Sequence, residues 1–170
     1  MADLFKILRA YLVLGGLALA CITVYRLKQA YGWLTVPEQD SLMAPLLSPG
    51  SFFRIDRKAV EKPLERFAVV AYLKDVRTPD AILLGRIVGL PGERIAVTDG
   101  AVLVDGKPLP EPGRATPTYG RVSDMLVPRD HYFVLVDERS DPRFQQGGGN
   151  ADSRDFGPVP ACRMIGRLAR

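Results

Sequence analysis

No charged residue lies between Arg9 and Arg26. That run, Ala10 to Tyr25, sets the first constraint on the chain, because an uncharged apolar stretch of this length must be buried in protein or placed in lipid. With Ile7, Leu8 and Leu27 the span approaches the roughly 20 residues needed to cross a bilayer. Arg9 and Arg26 bound it, and long basic side chains can snorkel to the headgroups. The reading is a single transmembrane helix. A cleaved signal peptide, with Ala18-Leu19-Ala20 as a cleavage-like site, and a lipoprotein modified at Cys21 are the competing readings. Both rank lower because Ile22 and Val24 continue the apolar run past either site. A juxtamembrane turn of helix is expected over Lys28 to Leu34, with Tyr31 and Trp33 at the membrane interface. The expected division is an anchor with its juxtamembrane segment over 1–35 and a folded domain over 36–170.

Charge supports this division. Lys6, Arg9, Arg26 and Lys28 stand against Asp3 in the first 35 residues, whereas the remainder holds 19 basic and 18 acidic residues. The basic excess flanks the apolar segment and the domain is almost neutral. That fits a membrane surface and argues against nucleic acid as a partner, which calls for a basic face on the domain itself. Orientation does not follow, since positive charge lies on both sides of the span. Two cysteines in different environments, Cys21 and Cys162, give neither a disulfide framework nor metal-ligand spacing. His131 is the single histidine, so no metal and no cofactor are expected.

From Val36 onward, short apolar runs recur between Gly, Pro and Asp. Ser51 to Asp56, Phe67 to Leu73, Ile82 to Val88 and Tyr132 to Asp137 read as strands. Ile95 to Val97 and Ala101 to Val104 flank Asp99-Gly100, a hairpin turn, and Asp105-Gly106 is a second turn. Leu90-Pro91-Gly92 is a turn. Lys107 to Thr118, rich in proline, reads as a surface loop, and Gly147-Gly148-Gly149 as a flexible one, since no Lys-Ser/Thr pair follows it to bind phosphate. The expected class is mainly β: an antiparallel β domain, either a partly closed barrel or two packed sheets, behind one N-terminal transmembrane helix.

Three boxes in order then carry a resemblance. Leu42-Met43-Ala44-Pro45-Leu46-Leu47 with Gly50 is similar to the nucleophile box of type I signal peptidases, Ser-Met-x-Pro-Thr-Leu. Leu84-Gly85-Arg86-Ile87-Val88-Gly89-Leu90-Pro91-Gly92-Glu93 resembles the base box, Lys-Arg-x-Val-Gly-Leu-Pro-Gly-Asp. Asp130 to Arg139, followed by Asn150-Ala151-Asp152-Ser153-Arg154 and Gly157-Pro158-Val159-Pro160, resembles the third. The resemblance implies a signal-peptidase-like fold and a Ser-Lys site in which a lysine of lowered pKa deprotonates a serine. It also implies that Leu42 stands at the nucleophile position, Gly85 at the base position and Asn150 at the lysine-orienting position. Leu42 cannot attack a carbonyl and Gly85 has no side chain to take a proton, so the expectation is no catalytic residue at these positions and leans away from enzyme activity. By the same resemblance Asp152 and Arg154 form a structural ion pair in their loop.

Substitutes are weak. Ser41, one position early, is expected on the opposite face of an extended strand. Arg86 stays protonated, His131 lies in a different box, and Lys74 lies on a different strand. Leu42, Met43, Pro45 and Leu84 are expected to line what was the substrate groove, able to take an extended or signal peptide by strand addition. The leading expectation is a structural, assembly or binding subunit of a membrane protein complex with integral-membrane partners. It would sit in the inner (cytoplasmic) membrane as a single-pass protein with its β domain on the exported side. The alternatives are a signal peptidase of altered mechanism using Ser41, and an export accessory that holds signal peptides without cutting them.

Overall fold

The computed structural model describes residues 2–37, 41–75, 82–112, 117–140 and 152–169. Helix α1 (Ala2–Ala30) contains a 20-residue apolar segment, Tyr11–Ala30, long and apolar enough to cross a membrane and exposed along its length up to Ala30, which is buried where the helix meets the domain. At 1.5 Å per residue α1 is roughly 43 Å long, more than the hydrocarbon thickness of a bilayer. The helix passes directly into strand β1 (Tyr31–Thr35). The juxtamembrane turn of helix expected over Lys28 to Leu34 is therefore corrected: the helix stops at Ala30, where the N–H of Arg57 donates to its carbonyl at 2.8 Å, and Tyr31–Thr35 pairs with β2 (Phe52–Asp56). Cross-strand hydrogen bonds win over continued helix because Gly32 and Leu34 can face the domain core from a strand.

The domain is two antiparallel sheets. The larger has seven strands in the order β1-β2-β11-β3-β4-β9-β10, and the smaller has four, β7-β6-β5-β8. Here β3 is Val69–Leu73, β4 Ile82–Gly89, β5 Arg94–Thr98, β6 Ala101–Val104 and β7 Lys107–Pro108. The later strands are β8 Val122–Leu126, β9 His131–Leu135, β10 Val159–Pro160 and β11 Met164–Leu168. A short helix, α2 (Ser153–Phe156), precedes β10. The expected antiparallel, mainly β domain behind one apolar helix is what forms.

Period-2 alternation sorts the strands onto three apolar clusters. Val69 and Ala71 of β3 join Met43, Phe53, Ile55 and Val136 in the first. Val70 and Tyr72, on the other face of the same strand, join Ile87, Tyr132 and Val134 in the second. Phe133 and Leu135 of β9 join Val88, Ile95, Val97 and Val102 in the third, which ties the two sheets together. The hairpin turns follow their sequence. Asp99 and Gly100 both have positive φ (51° and 79°), as the mirror-image two-residue turn requires. Gly92 (φ 88°) closes the Leu90–Glu93 turn, whose first N–H is held by the Glu93 carboxylate at 2.7 Å.

Candidate functional site

The site grows from β4 and the turn-rich segment 41–47. Leu42 is half-buried at the margin of the first cluster, Met43 is inside it, and Leu84 packs against it from β4. The Leu42 carbonyl accepts the Glu138 N–H at 2.8 Å, which fixes the segment to the chain leaving β9. Three of the four expected groove residues thus converge, whereas Pro45 is exposed on the turn. Segment 41–47 is a succession of turns, with the Ala44 N–H bonded to the Ser41 carbonyl at 3.0 Å. The strand alternation invoked to turn Ser41 away from Leu42 therefore does not apply. Ser41 is exposed in its own right, outside the packing that holds Leu42.

Gly85 points elsewhere. It pairs with Val70, so its side-chain direction is the face of the second cluster. A Cβ built there would lie 2.5 Å from Val134 Cγ1, 3.2 Å from the Leu135 carbonyl oxygen and 3.5 Å from Tyr72 Cε1. The space that a side chain at position 85 would enter is filled by Val134. Tyr72 lines the same place, and its phenol is driven well above the ordinary range, first by burial and then by the charge of Asp152, so it stays protonated and is no base. Sequence reasoning does not single out Val134 or Tyr72, although the alternation of β9 and β3 carries the signal. Asn150, expected at the orienting position, lies outside the described residues, as does the Gly147–Gly149 loop.

Around this point three arginine–carboxylate pairs hold the loops. Arg86 donates two bonds to Asp137, from Nε at 2.7 Å and Nη2 at 2.6 Å, and a third to the Phe67 carbonyl. The hydrogen bond to Asp137 raises its pKa further, against the opposing effect of burial, so Arg86 is a fixed cation and not a base. Arg139, fully buried, is bidentate to Glu111 and donates to the Val136 carbonyl. This ties the proline-rich segment to the end of β9. The expected Asp152–Arg154 pair forms: Arg154 Nη2 donates to Asp152 Oδ2 at 2.6 Å with both side chains buried. Asp152 also accepts the Val136 N–H at 3.0 Å, and the Ser153 hydroxyl accepts the Val134 N–H at 2.9 Å. Two side chains thus take the place of a neighbouring strand along β9.

The substitutes considered for the base do not reach this place in the fold. His131 stands at the start of β9, paired with Pro160, with Nδ1 2.9 Å from the Arg129 carbonyl oxygen. Lys74 follows the end of β3, its carbonyl accepting from Arg163. Among the described residues no three His, Cys, Asp or Glu side chains are grouped to hold a metal ion.

Comparison with known proteins gives a consistent result. Residues 3–170 match the family model of signal peptidase, peptidase S26. A signal peptidase I of Leptolyngbya laminosa is 38% identical over 82 residues, covering 48% of this chain and 36% of that protein. A probable signal peptidase I-2 of Synechocystis sp. is also 38% identical over 82 residues, covering 48% of this chain and 34% of that protein. The matched segment is thus well under half the length of these two relatives. Signal peptidase I V of Bacillus subtilis is 30% identical over 123 residues, 64% of this chain and 66% of that protein. Among solved structures, a signal peptidase I from Enterococcus faecalis is 25% identical, covers 64% of this chain and 98% of its own, and superposes with a TM-score of 0.44.

Proposed function

Given that the chain belongs to the signal peptidase family, peptidase S26, we propose that it is a membrane-anchored, catalytically inactive member that acts by binding, as a structural or assembly subunit of a membrane protein complex. The observation that carries this reading is the state of the base position: Gly85 offers no proton acceptor, and its side-chain direction ends on Val134 at 2.5 Å. A missing base alone could be replaced by a neighbouring group. A missing base whose space is packed cannot be replaced without rebuilding the core. Leu42, packed at the nucleophile position, supports the same reading. By this reading α1 crosses the inner (cytoplasmic) membrane once and the β domain lies on the exported side.

One feature favours a second binding role, holding an extended or signal peptide without cutting it. β9 pairs with β4 only at Arg86, Ile87 and Gly89, so Ile82 to Gly85 are paired with β3 on one side and, among the described residues, carry no β9 partner on the other. An extended segment added there would lie beside Leu84 and Leu42.

Two measurements test the reading. Full-length protein in proteoliposomes is expected to leave a signal-peptide substrate uncut, and Ser41→Ala is expected to change nothing. Specific cleavage by pure wild-type protein would overturn inactivity, and its loss in Ser41→Ala would assign an altered mechanism. Affinity purification from native membranes in mild detergent, with stoichiometry by mass spectrometry, is expected to return fixed partners at near-integer ratios. Heterogeneous exported chains at low ratio would instead favour the peptide-holding role.

A further inference from the structure

The larger sheet ends on β1 and β10, the smaller on β7 and β8. An edge strand offers unpaired backbone N–H and C=O groups to any strand that meets it, and folded proteins blunt such edges by shortness, proline, charge or a bulge. Here β7 and β10 are two residues long and each ends in proline, Pro108 and Pro160. β8 shifts register against β5, and its exposed Asp124 is paired with Arg94. β1 has none of these devices. It is five residues long, carries no charge and no proline, and keeps one unbroken register with β2.

The residues flanking β1 fix which backbone groups face that edge. The Ala30 carbonyl accepts the Arg57 N–H at 2.8 Å, and the Val36 N–H donates to the Ser51 carbonyl at 2.9 Å, so both ends bond towards β2. Bonding direction alternates from residue to residue along an antiparallel strand. Gly32 and Leu34 therefore also bond towards β2, while Tyr31, Trp33 and Thr35 direct N–H and C=O to the open side. Among the described residues no strand lies there. The edge groups are symmetric about Trp33. An identical strand laid antiparallel, with Trp33 facing its own copy, exchanges both backbone bonds between the two Trp33 residues and between each Tyr31 and the opposite Thr35. Any other register leaves some of these groups unpaired. On the outer face, where Trp33 is 71% exposed, indole then stands opposite indole. On the inner face Leu34 meets Gly32 and the Arg57 side chain that crosses it, large against small. β1 brings no charge against a like charge.

The anchor favours a second copy as the occupant. Ala30 and Tyr31 are consecutive, so α1 sets β1 at the same height in every copy. Copies inserted the same way are related by a two-fold along the bilayer normal, and a two-fold perpendicular to a strand sets it antiparallel to its own copy. In the Trp33 register the two Tyr31 residues lie about 14 Å apart along the strands, so helices about 10–12 Å across pass without collision. Confinement to one bilayer raises the effective concentration of one edge at the other.

We propose that β1 is a self-association edge: two copies of the chain pair β1 with β1, antiparallel about Trp33, and join their seven-stranded sheets into one. The proposal rests on the membrane anchor in the function proposed above. It is independent of the groove, because β2, β11 and β3 stand between this edge and β4.

Single cysteines on β1, in a Cys21→Ser/Cys162→Ser background, test the register. Full-length protein is reconstituted in liposomes at low protein-to-lipid ratio, insertion is checked by resistance to alkaline carbonate, and the sample is oxidised with copper phenanthroline. Trp33→Cys is expected to crosslink with itself, since about 5.5 Å between the Cα atoms of a bonded pair is within disulfide reach. Tyr31→Cys alone and Thr35→Cys alone, about 14 Å from their own copies, should not crosslink, whereas the two reconstituted together should. Without oxidant, single-molecule photobleaching of protein labelled at its N-terminus counts monomers and dimers. Trp33→Lys sets like charges across the two-fold and should lower the dimer-to-monomer ratio about tenfold. Its circular dichroism should be unchanged, because Trp33 is exposed and makes no bond to β2. A carbonate-resistant protein that stays monomeric, or that crosslinks equally at all these positions, overturns the pairing and leaves the anchor intact. Crosslinking of Trp33→Cys to a different chain in native membranes gives the edge to another protein and also overturns self-pairing. A protein extracted by carbonate overturns anchor and pairing together.

Discussion

Asp152→Ala is expected to destabilise the β domain by about 3–5 kcal/mol, the loss typical of removing one partner from a buried ion pair. The change acts at four places. The Arg154 guanidinium, 3% exposed, loses the Asp152 carboxylate while buried. The Val136 N–H loses its acceptor. The first turn of α2 loses the side chain that caps Arg154 N–H. The loop carrying Ser153 then has less to hold it against β9. Against a typical total of roughly 5–15 kcal/mol for a domain, this is a large fraction. Urea unfolding of the full-length protein in detergent micelles reads it directly.

The pair can be separated from its charge. Asp152→Asn keeps an oxygen for Val136 or the α2 cap but not the charge, and should lose less than Asp152→Ala. Asp152→Ala with Arg154→Met removes both charges from the interior and should be more stable than Asp152→Ala alone, since a buried cation that has lost the Asp152 carboxylate is the larger cost. A loss under about 1 kcal/mol for Asp152→Ala would put the pair among weak surface bridges and contradict its burial. Replacing one buried member of the Arg139–Glu111 pair should follow the same rule, because Arg139 has no exposed side-chain surface.

These pairs also mark the boundary of what the sequence makes legible. Asp152 and Arg154 are two positions apart inside one motif, so their contact is legible from the chain itself. Arg86 and Asp137 are 51 positions apart, and Arg139 and Glu111 are 28 apart. No local pattern announces either contact, and from the sequence Arg86 draws notice only as a failed candidate base. The strands divide similarly. β2, β3, β4, β5, β6 and β9 carry apolar alternation or runs bounded by Gly, Pro or Asp-Gly, so local chemistry marks them. β8 buries only Val122, and its pairing with β5 supplies what its sequence lacks. β11 contains Gly166, which reads as a breaker. It is required there because a Cβ would lie 3.1 Å from both the Asp56 carbonyl oxygen and the Ile55 side chain. β1 is masked by its neighbour: Tyr31 and Trp33 beside an apolar helix read as interfacial residues of a helical turn, although the same two side chains alternate outward from a strand. At the site, motif order groups Leu42, Met43 and Leu84. It does not give the direction of Gly85, which depends on the register with Val70.

That direction leads to the second large effect. Placing lysine at position 85 is expected to weaken the fold and to confer no catalysis. The first carbon of any side chain there meets Val134 Cγ1 at 2.5 Å and the Leu135 carbonyl oxygen at 3.2 Å. One neighbour is a β-branched side chain in a strand and the other is backbone, so neither yields easily. Overpacking of this kind costs about 1–3 kcal/mol, and an ammonium directed among Tyr72 and Val134 adds desolvation to it. Gly85→Lys with Leu42→Ser should therefore leave a signal-peptide substrate uncut. Val134→Ala removes the clashing methyl. In Gly85→Lys/Val134→Ala the combined loss should fall short of the sum of the single losses by more than about 0.5 kcal/mol, the usual limit of additivity for independent sites. Urea unfolding of the four proteins closes that cycle. If Gly85→Lys matches wild type and the two changes simply add, position 85 is open and the proposed inactivity rests only on the identities of Leu42 and Gly85. If they couple as expected, the space beside position 85 is part of the packed core. Only a variant that also reopens Val134, such as Gly85→Lys/Val134→Ala, has room for the lysine, and its side chain still enters the face of the second cluster, away from position 42 in the first.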